Sequence, residues 1–529
     1  MNFISTLESY IERTRKKITD IQMATFVSVF VFGLVAHGYI IFNRLSYHDN
    51  SACLFSLGGT YESGRWMLGL VYDLTLHTTK LYSVPVFNGL LSVLFIAIAA
   101  MKMVEILDIK SKVLSVYVAG IMVVYPVVTG IFSYMFTSWV YFLGMLLSVI
   151  AGGYLIQNKS VKSFLISGIL LSMSLGFYQA FFAVTIVLFL LDLTVRVLDG
   201  KINTVKDYAK NGFIYLFNLV VGLGLWAVIR KLSMKIKGIQ AVAYKGMDEG
   251  YDLSQFPNRI ALAYKEFFGL QMEKINTLIY LKFFVGVIIV ITIIQLVVLL
   301  IKSKNNLSVK LASLVGIIIM PIGMNLVYIL STSEEYLIDT LMMYGNIFVF
   351  IIPVVLIQLL DSKELITGLI KKLTFVATSI QAVALAVMLL GYIYLDNSAY
   401  LKADIMQQQA TAWYTELVAN IKCSEGYSDD MEIVLVGINS ISDGTFTKID
   451  EDGQLDAIQV AKYPDYITVL SNGGSLNFSR EHIGFGNYLV KTDDGTLAER
   501  PEVKAMPTYP SDGSIKVVDG SVVVKLGEL

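Results

Sequence analysis

The sequence predicts a polytopic α-helical membrane protein that ends in a small α+β domain outside the bilayer. Three observations carry this. Apolar residues fill 55% of the 529 positions and charged residues only 16%, where soluble chains carry about a quarter charged. Mean hydropathy is +0.65. The apolar residues fall in continuous blocks of roughly twenty, the length a helix needs to cross a bilayer, and do not alternate as barrel strands do. Lipid offers the backbone no hydrogen-bond partner, so such spans must be helical.

Residues 1–21 read as a short amphipathic cytoplasmic helix ending in Arg13, Arg15, Lys16 and Lys17. A membrane region, 22–396, follows. Its apolar blocks lie at about 22–42, 84–104, 113–131, 139–156, 163–177, 180–195, 212–229, 281–301, 311–330, 341–360 and 373–395, about eleven spans. The fifth and sixth also fit one re-entrant pair. Two long loops interrupt the blocks, 43–83 and 230–280. Residues 397–529 change composition. A helix is expected over 399–421 with Leu401, Ile405, Trp413 and Leu417 as its apolar stripe. Strands are expected at Glu432–Ile438, Tyr466–Leu470 and Ile515–Leu526. Asp519-Gly520 splits the last into a hairpin.

Lysine and arginine set the orientation. They gather at the N-terminus and in the links after the even-numbered spans, and are missing from the short links after the third, fifth and ninth. Basic short loops face the cytoplasm. The expectation is a bacterial cytoplasmic-membrane protein whose N-terminus is cytoplasmic. Both long loops and 397–529 are then extracytoplasmic. Cys53 and Cys423 share that side, as one disulfide or as two thiols.

A net charge of −1 gives no reason to expect nucleic acid. Phosphate-binding, serine-hydrolase, zinc-protease and CxxC motifs are all missing. No cytosolic domain is expected either, so an external transferase would need a donor already in the membrane. The informative residues are polar groups at the lipid edge, where burial is costly. Tyr47-His48-Asp49-Asn50 follows the first span. Asp49 there either removes a proton from a sugar hydroxyl or caps a short helix with Asn50 and Ser51. Gly64-Arg65-Trp66 offers a guanidinium for phosphate oxygens, or an interfacial anchor. Glu62 either orients Arg65 or adds a second carboxylate. Tyr178 and Gln179, in the turn after Gly176-Phe177, either bind sugar hydroxyls or satisfy backbone. Arg230 and Lys231 either hold a lipid phosphate or anchor a helix among headgroups. Glu334 and Glu335 read as solvated loop residues, and His482 as a surface histidine.

Together these stretches resemble the GT-C class of membrane glycosyltransferases, and within it the bacterial GtrII-type glucosyltransferases. The resemblance rests on Tyr47-His48-Asp49-Asn50, Gly64-Arg65-Trp66, Gly176-Phe177-Tyr178-Gln179-Ala180 and the ending from Met506-Pro507 to Leu526. It implies a GT-C-like fold and transfer of a hexose, usually glucose, from a polyprenyl-phosphate sugar to a cell-envelope glycan, commonly with inversion. It implies Asp49 as base or acceptor-binding carboxylate. Arg65, with Arg230 and Lys231, would take the donor phosphate. His48, Asn50, Glu62, Tyr178 and Gln179 would line the sugar and acceptor pocket. Relatives carry two adjacent acids where this chain has Asp49-Asn50. That leaves one carboxylate and weakens the case for a metal-dependent variant; no cofactor is fixed by the sequence, and a divalent cation stays an open alternative. The runner-up class, a lipid-linked saccharide flippase or exporter, would need ionisable groups along several spans. The apolar blocks here are nearly free of them.

Overall fold

The computed structural model describes residues 3–46, 48–51, 53, 56–79, 83–240, 253–330, 339–361, 368–437, 447–450, 452–462, 478, 481–485 and 490–527. Apart from the one-turn helices Leu76–Thr79, Val327–Leu330 and Pro501–Lys504, the described α-helices are α1 (Phe3–Arg15), α2 (Asp20–Phe42), α3 (Trp66–Leu74), α4 (Pro85–Ile106), α5 (Lys112–Val124), α6 (Pro126–Phe132), α7 (Ser138–Gln157), α8 (Val161–Phe177), α9 (Phe182–Leu198), α10 (Val205–Lys237), α11 (Phe256–Gly269), α12 (Ile279–Lys302), α13 (Leu307–Met324), α14 (Phe348–Asp361) and α15 (Gly368–Cys423). Among the described residues, nine helical stretches are long and apolar enough to cross a membrane. The α5–α6 pair makes a tenth if counted as one bent span, and α8 is a shorter apolar helix. Each of the expected blocks falls on one of these stretches. The molecule is thus a mostly helical, polytopic membrane protein with a small sheet.

Local sequence explains the punctuation. Thr19 and Gln22 form a reciprocal capping box at the start of α2, as Ser160 and Ser163 do for α8. The 44° bend between α5 and α6 falls at Tyr125-Pro126. Proline lacks the N–H that would continue the ladder and pushes the residue before it out of the helical region, and Tyr125 sits at ψ 129. Small residues let helices touch. Ser174 Oγ donates to the Gly144 carbonyl (2.7 Å) where α8 crosses α7.

Two expectations about connections are corrected. The 230–280 loop is largely helical. α10 runs on to Lys237 before Gly238 (φ +66) ends it, and α11 and a π turn, Leu270–Lys274, fill 256–274. Arg230 and Lys231 are therefore helical residues. Residues 241–252, like Glu334, Glu335 and the Tyr466–Leu470 run, lie outside the described residues. The helix expected at 399–421 is the continuation of the last span. α15 is one helix of 56 residues. Its buried face is only partly the expected one: Ala399, Ala403, Met406, Ala410 and Tyr414 face inward together with the expected Leu417, while Ile405 and Trp413 are half-buried and Leu401 is 51% exposed. The reason is that α15 still packs on α2 and the segment after it from Asn397 to Gln407, and on C-terminal residues such as Phe478 further along.

The sheet joins β1 (Glu432–Val436), β2 (Val490–Thr492), β3 (Ile515–Val518) and β4 (Ser521–Lys525) in the order β2-β1-β4-β3. β1 is parallel to both its neighbours, and β3 and β4 are the expected antiparallel hairpin. Asp519 and Gly520 both take positive φ, as a two-residue type I′ turn requires. Cys53 and Cys423 are both free thiols.

The α7–α8 contact makes a test. A methyl at Gly144 would fall 2.8 Å from the Phe177 Cβ, close to the main chain and unable to swing away. Gly144→Ala should lower thermal stability by about 1–3 kcal/mol, read as a lower melting temperature in detergent; an unchanged melting temperature would contradict this packing.

Candidate functional site

Two of the singled-out stretches interlock. Arg65 begins α3, just after Gly64, whose φ of +77 only glycine adopts without strain. The Arg65 side chain is buried, 8% exposed. Its Nη1 donates to the Tyr141 hydroxyl (3.1 Å), and the guanidinium lies 5.2 Å from the centre of the Tyr178 ring and 5.8 Å from that of Tyr141. The two rings stack on each other at 4.4 Å. Aromatic faces attract a cation, which offsets part of the cost of burying it. Trp66 lies over Gly176, where a Cβ would fall 2.6 Å from the indole. Gln179 Nε2 donates to the Ser63 carbonyl (3.0 Å). Gly64-Arg65-Trp66 and Gly176-Phe177-Tyr178-Gln179 are thus one packed unit.

α10 closes this unit. Trp226 Nε1 donates to the Gly64 carbonyl (3.0 Å). A methyl on Gly64 would fall 3.2 Å from Arg230 Cδ and Nε, so the Arg230 side chain runs against the Gly64 backbone. Arg65 and Arg230 therefore flank one glycine, from two different elements. Lys231 is exposed on the next position of α10. Further along, Lys237 Nζ pairs with Asp73 (2.7 Å), which also accepts from the Tyr61 hydroxyl (2.8 Å). Glu62 does not pair with Arg65. Its carboxylate accepts from the Thr60 backbone N–H (2.6 Å) and faces the Thr60 hydroxyl, closing a local turn.

Asp49 sits on a short 3₁₀ turn, His48–Ser51, and is exposed. Tyr47 and the His48 side chain lie outside the described residues. Asn50 faces inward. Its amide donates to the Ser133 (2.8 Å) and Leu45 (3.3 Å) carbonyls, and its oxygen accepts from Phe136 N–H (3.3 Å). The residue beside Asp49 is thereby spent on backbone and pins the turn to the α6–α7 corner. Burial and the nearby Asp49 carboxylate push the Cys53 thiol up to about 12. Both halves of the loop thus seat on the start of α7, Asn50 just before it and Arg65 at Tyr141. Among the described residues no three His, Cys, Asp or Glu side chains gather as a metal-ligand set. His482, expected at the surface, is instead half-buried against Ser46, its Nε2 2.7 Å from Ser46 Oγ.

Residues 38–350, more than half of the chain, match the family described as Glucosyl transferase GtrII. The chain belongs to this GtrII family. It is therefore a glucosyltransferase by family, as the resemblance implied. The GtrII match takes in every residue of the interlock and Asp49, and stops before α15 and the sheet. No curated protein and no solved structure matches the chain.

Four residues of this packed region were not anticipated from the sequence. Tyr141 and Trp226 sit inside apolar blocks, where an aromatic residue is ordinary core. Asp73 and Lys237 lie 164 positions apart and pair only once α10 is known to extend. Burial alone would raise the Asp73 carboxyl. Hydrogen bonds from Lys237 and Tyr61, with the Lys237 and His77 charges, hold it below the usual carboxylate range. A depressed carboxyl stabilises the folded clasp at neutral pH, and that contribution is lost as pH falls through the depressed value. Amide protection across 61–74, relative to the intrinsic exchange rate at each pH, should thus fall on acidification below about pH 4. Asp73→Asn should lower it already at pH 7 and flatten the acid response. An acid response unchanged by Asp73→Asn would show that the Asp73–Lys237 pair does not hold this segment.

Proposed function

We propose that the protein transfers a glucosyl residue from a polyprenyl-phosphate sugar to a cell-envelope glycan on the outer face of the bacterial cytoplasmic membrane, with inversion. The observation that carries this reading is the buried Arg65 held on the Tyr141–Tyr178 stack with Arg230 alongside. A guanidinium suits a lipid-linked phosphate. It is permanently charged and can offer two parallel N–H donors to one phosphate, and its hydration is weak enough for a half-dry site. The charge pattern of the short loops supports an outer position for this end of the bundle.

In this reading the exposed Asp49 takes the proton from the acceptor hydroxyl as that oxygen attacks the anomeric carbon. The bond from that carbon to the phosphate oxygen breaks. Negative charge then builds on the departing polyprenyl phosphate, where Arg65 and Arg230 stabilise it, and Lys231 attracts the lipid headgroup from the rim. Tyr178 and Gln179 border the sugar. His48 flanks the base. Asn50 and Glu62 act by holding the turns that carry Asp49 and Arg65.

Purified protein given polyprenyl-phosphate-glucose and a glycan acceptor tests this. Asp49→Asn should lower turnover on the order of 10²–10⁴-fold, the usual contribution of a general base. Arg65→Lys keeps the charge but loses the paired donors and the stacking, and should weaken both donor binding and turnover. Full transfer by Asp49→Asn and by Arg65→Ala would overturn the assignment.

A further inference from the structure

The segment that leads to Asp49 is held by residues from beyond the GtrII-matching region. α15 runs beside α2, and its polar residues line that contact at steps of three and four, one face of a helix. Asn397 Nδ2 donates to the Val35 carbonyl (3.0 Å). The Tyr400 hydroxyl meets His37 Nδ1 (2.8 Å). Asp404 faces the Tyr39 hydroxyl. Gln407 then reaches past the end of α2. Its Oε1 accepts from the Ser46 N–H (2.7 Å), and its Nε2 donates to the Arg44 carbonyl (3.0 Å).

A second C-terminal piece closes on the same segment. Phe478 packs on Tyr414 of α15 (5.6 Å) and stacks with His482 (4.4 Å, 23°). His482 meets the Ser46 hydroxyl, and Glu481 pairs with Arg44. Burial and the Arg44 charge hold the imidazole down to about 4. It is therefore neutral at neutral pH, with one ring nitrogen able to accept from the Ser46 hydroxyl. Ser46, gripped through both its backbone and its side chain, lies three positions before Asp49. The Arg65 half of the loop is held by Tyr141, Tyr178, Gln179 and Trp226, all within the matched region.

We infer that the C-terminal region is a working part of the transferase centre, with His482 and Gln407 as positioning residues that fix the Asp49 turn through Ser46 and Arg44. Its catalytic consequence rests on the proposed glucosyl transfer; the structural coupling does not. The two halves of the site are then separable. Loosening the C-terminal grip misplaces the base and leaves the phosphate site intact.

The test uses the full chain. His482→Ala and Ser46→Ala should each lower kcat by about tenfold or more, since a misplacement of about 1 Å costs on the order of a hundredfold. Affinity for a short-chain polyprenyl phosphate, read from Trp66 and Trp226 fluorescence, should stay within about twofold. The double variant should be no worse than either single one, because both remove the same contact. His482→Gln, which keeps a hydrogen-bonding group near the Nε2 position, should recover most of the rate. Hydrogen exchange should rise in 44–50 and not in 61–74 for His482→Ala and Ser46→Ala. That readout stands even if the wild type transfers no glucose, so failure of the reaction and failure of the coupling are told apart. The inference is overturned if His482→Ala and Ser46→Ala turn over like wild type, if kcat and phosphate affinity fall together, or if exchange in 44–50 does not move. Should His482→Ala fail to fold, Ser46→Ala and His482→Gln decide the matter on the same measurements.

Discussion

A buried guanidinium at the mouth of a membrane bundle is the constraint the rest of this structure answers to. Removing a cation from water is costly unless other groups compensate. Arg65 meets that cost with two tyrosine faces and a phenolic oxygen. Supplying them requires the start of α7 to lie beside the end of α8, which in turn requires the close crossing at Gly144. It also requires Gly176, so that Trp66 can lie flat, and Gly64, so that the chain can turn under Trp226 and Arg230. The glycines in the two singled-out stretches are thus explained by what approaches them rather than by loop flexibility.

The arrangement divides the 43–83 loop into two parts that are held by different elements. One, from Tyr61 to Leu74, is bound by α7, α8 and α10. The other, from Asn43 to Asn50, is bound by the α6–α7 corner and by the C-terminal residues. Under the proposed chemistry this keeps the leaving-group side rigid within the bundle. In that reading the base, Asp49, belongs to the part that touches the C-terminal residues Glu481 and His482. The single domain-sized helix α15 makes the connection between them.

Much of this was readable from residues alone. Continuous apolar runs located the helices because a bilayer leaves the backbone no alternative. Asp519-Gly520 announced a hairpin because few residues accept positive φ twice in succession. Arg65, Tyr178 and Gln179 stood out as polar groups at lipid edges, and the structure brings them together. What was hidden is long-range. The last apolar block stops at about 395 in the sequence, just before Asp396. Yet Asp396 is fully buried and accepts from Thr129 (2.6 Å), and Lys402, 2% exposed, pairs with Asp450 and Asp456. Basic residues at 230–237 likewise imitate a loop while continuing a helix. Tyr141 and Trp226 carry no signal of their own within apolar runs. The inward turn of Asn50 depends on the Ser133 carbonyl and the Phe136 N–H, both more than eighty positions away.

The uninterrupted course of α15 has a consequence for phase. At 1.5 Å per residue its 56 residues extend about 84 Å, well beyond the roughly 30 Å of a hydrocarbon core. With no hinge in it, rotation at one end is transmitted to the other. One residue added or removed in its middle would turn everything beyond by about 100°, carrying Gln407 and Tyr414 off the line they share with Asn397 and Tyr400. The helix therefore acts as an angular index as much as a spacer, and the direction in which Gln407 faces is written into the count of residues between it and Asn397.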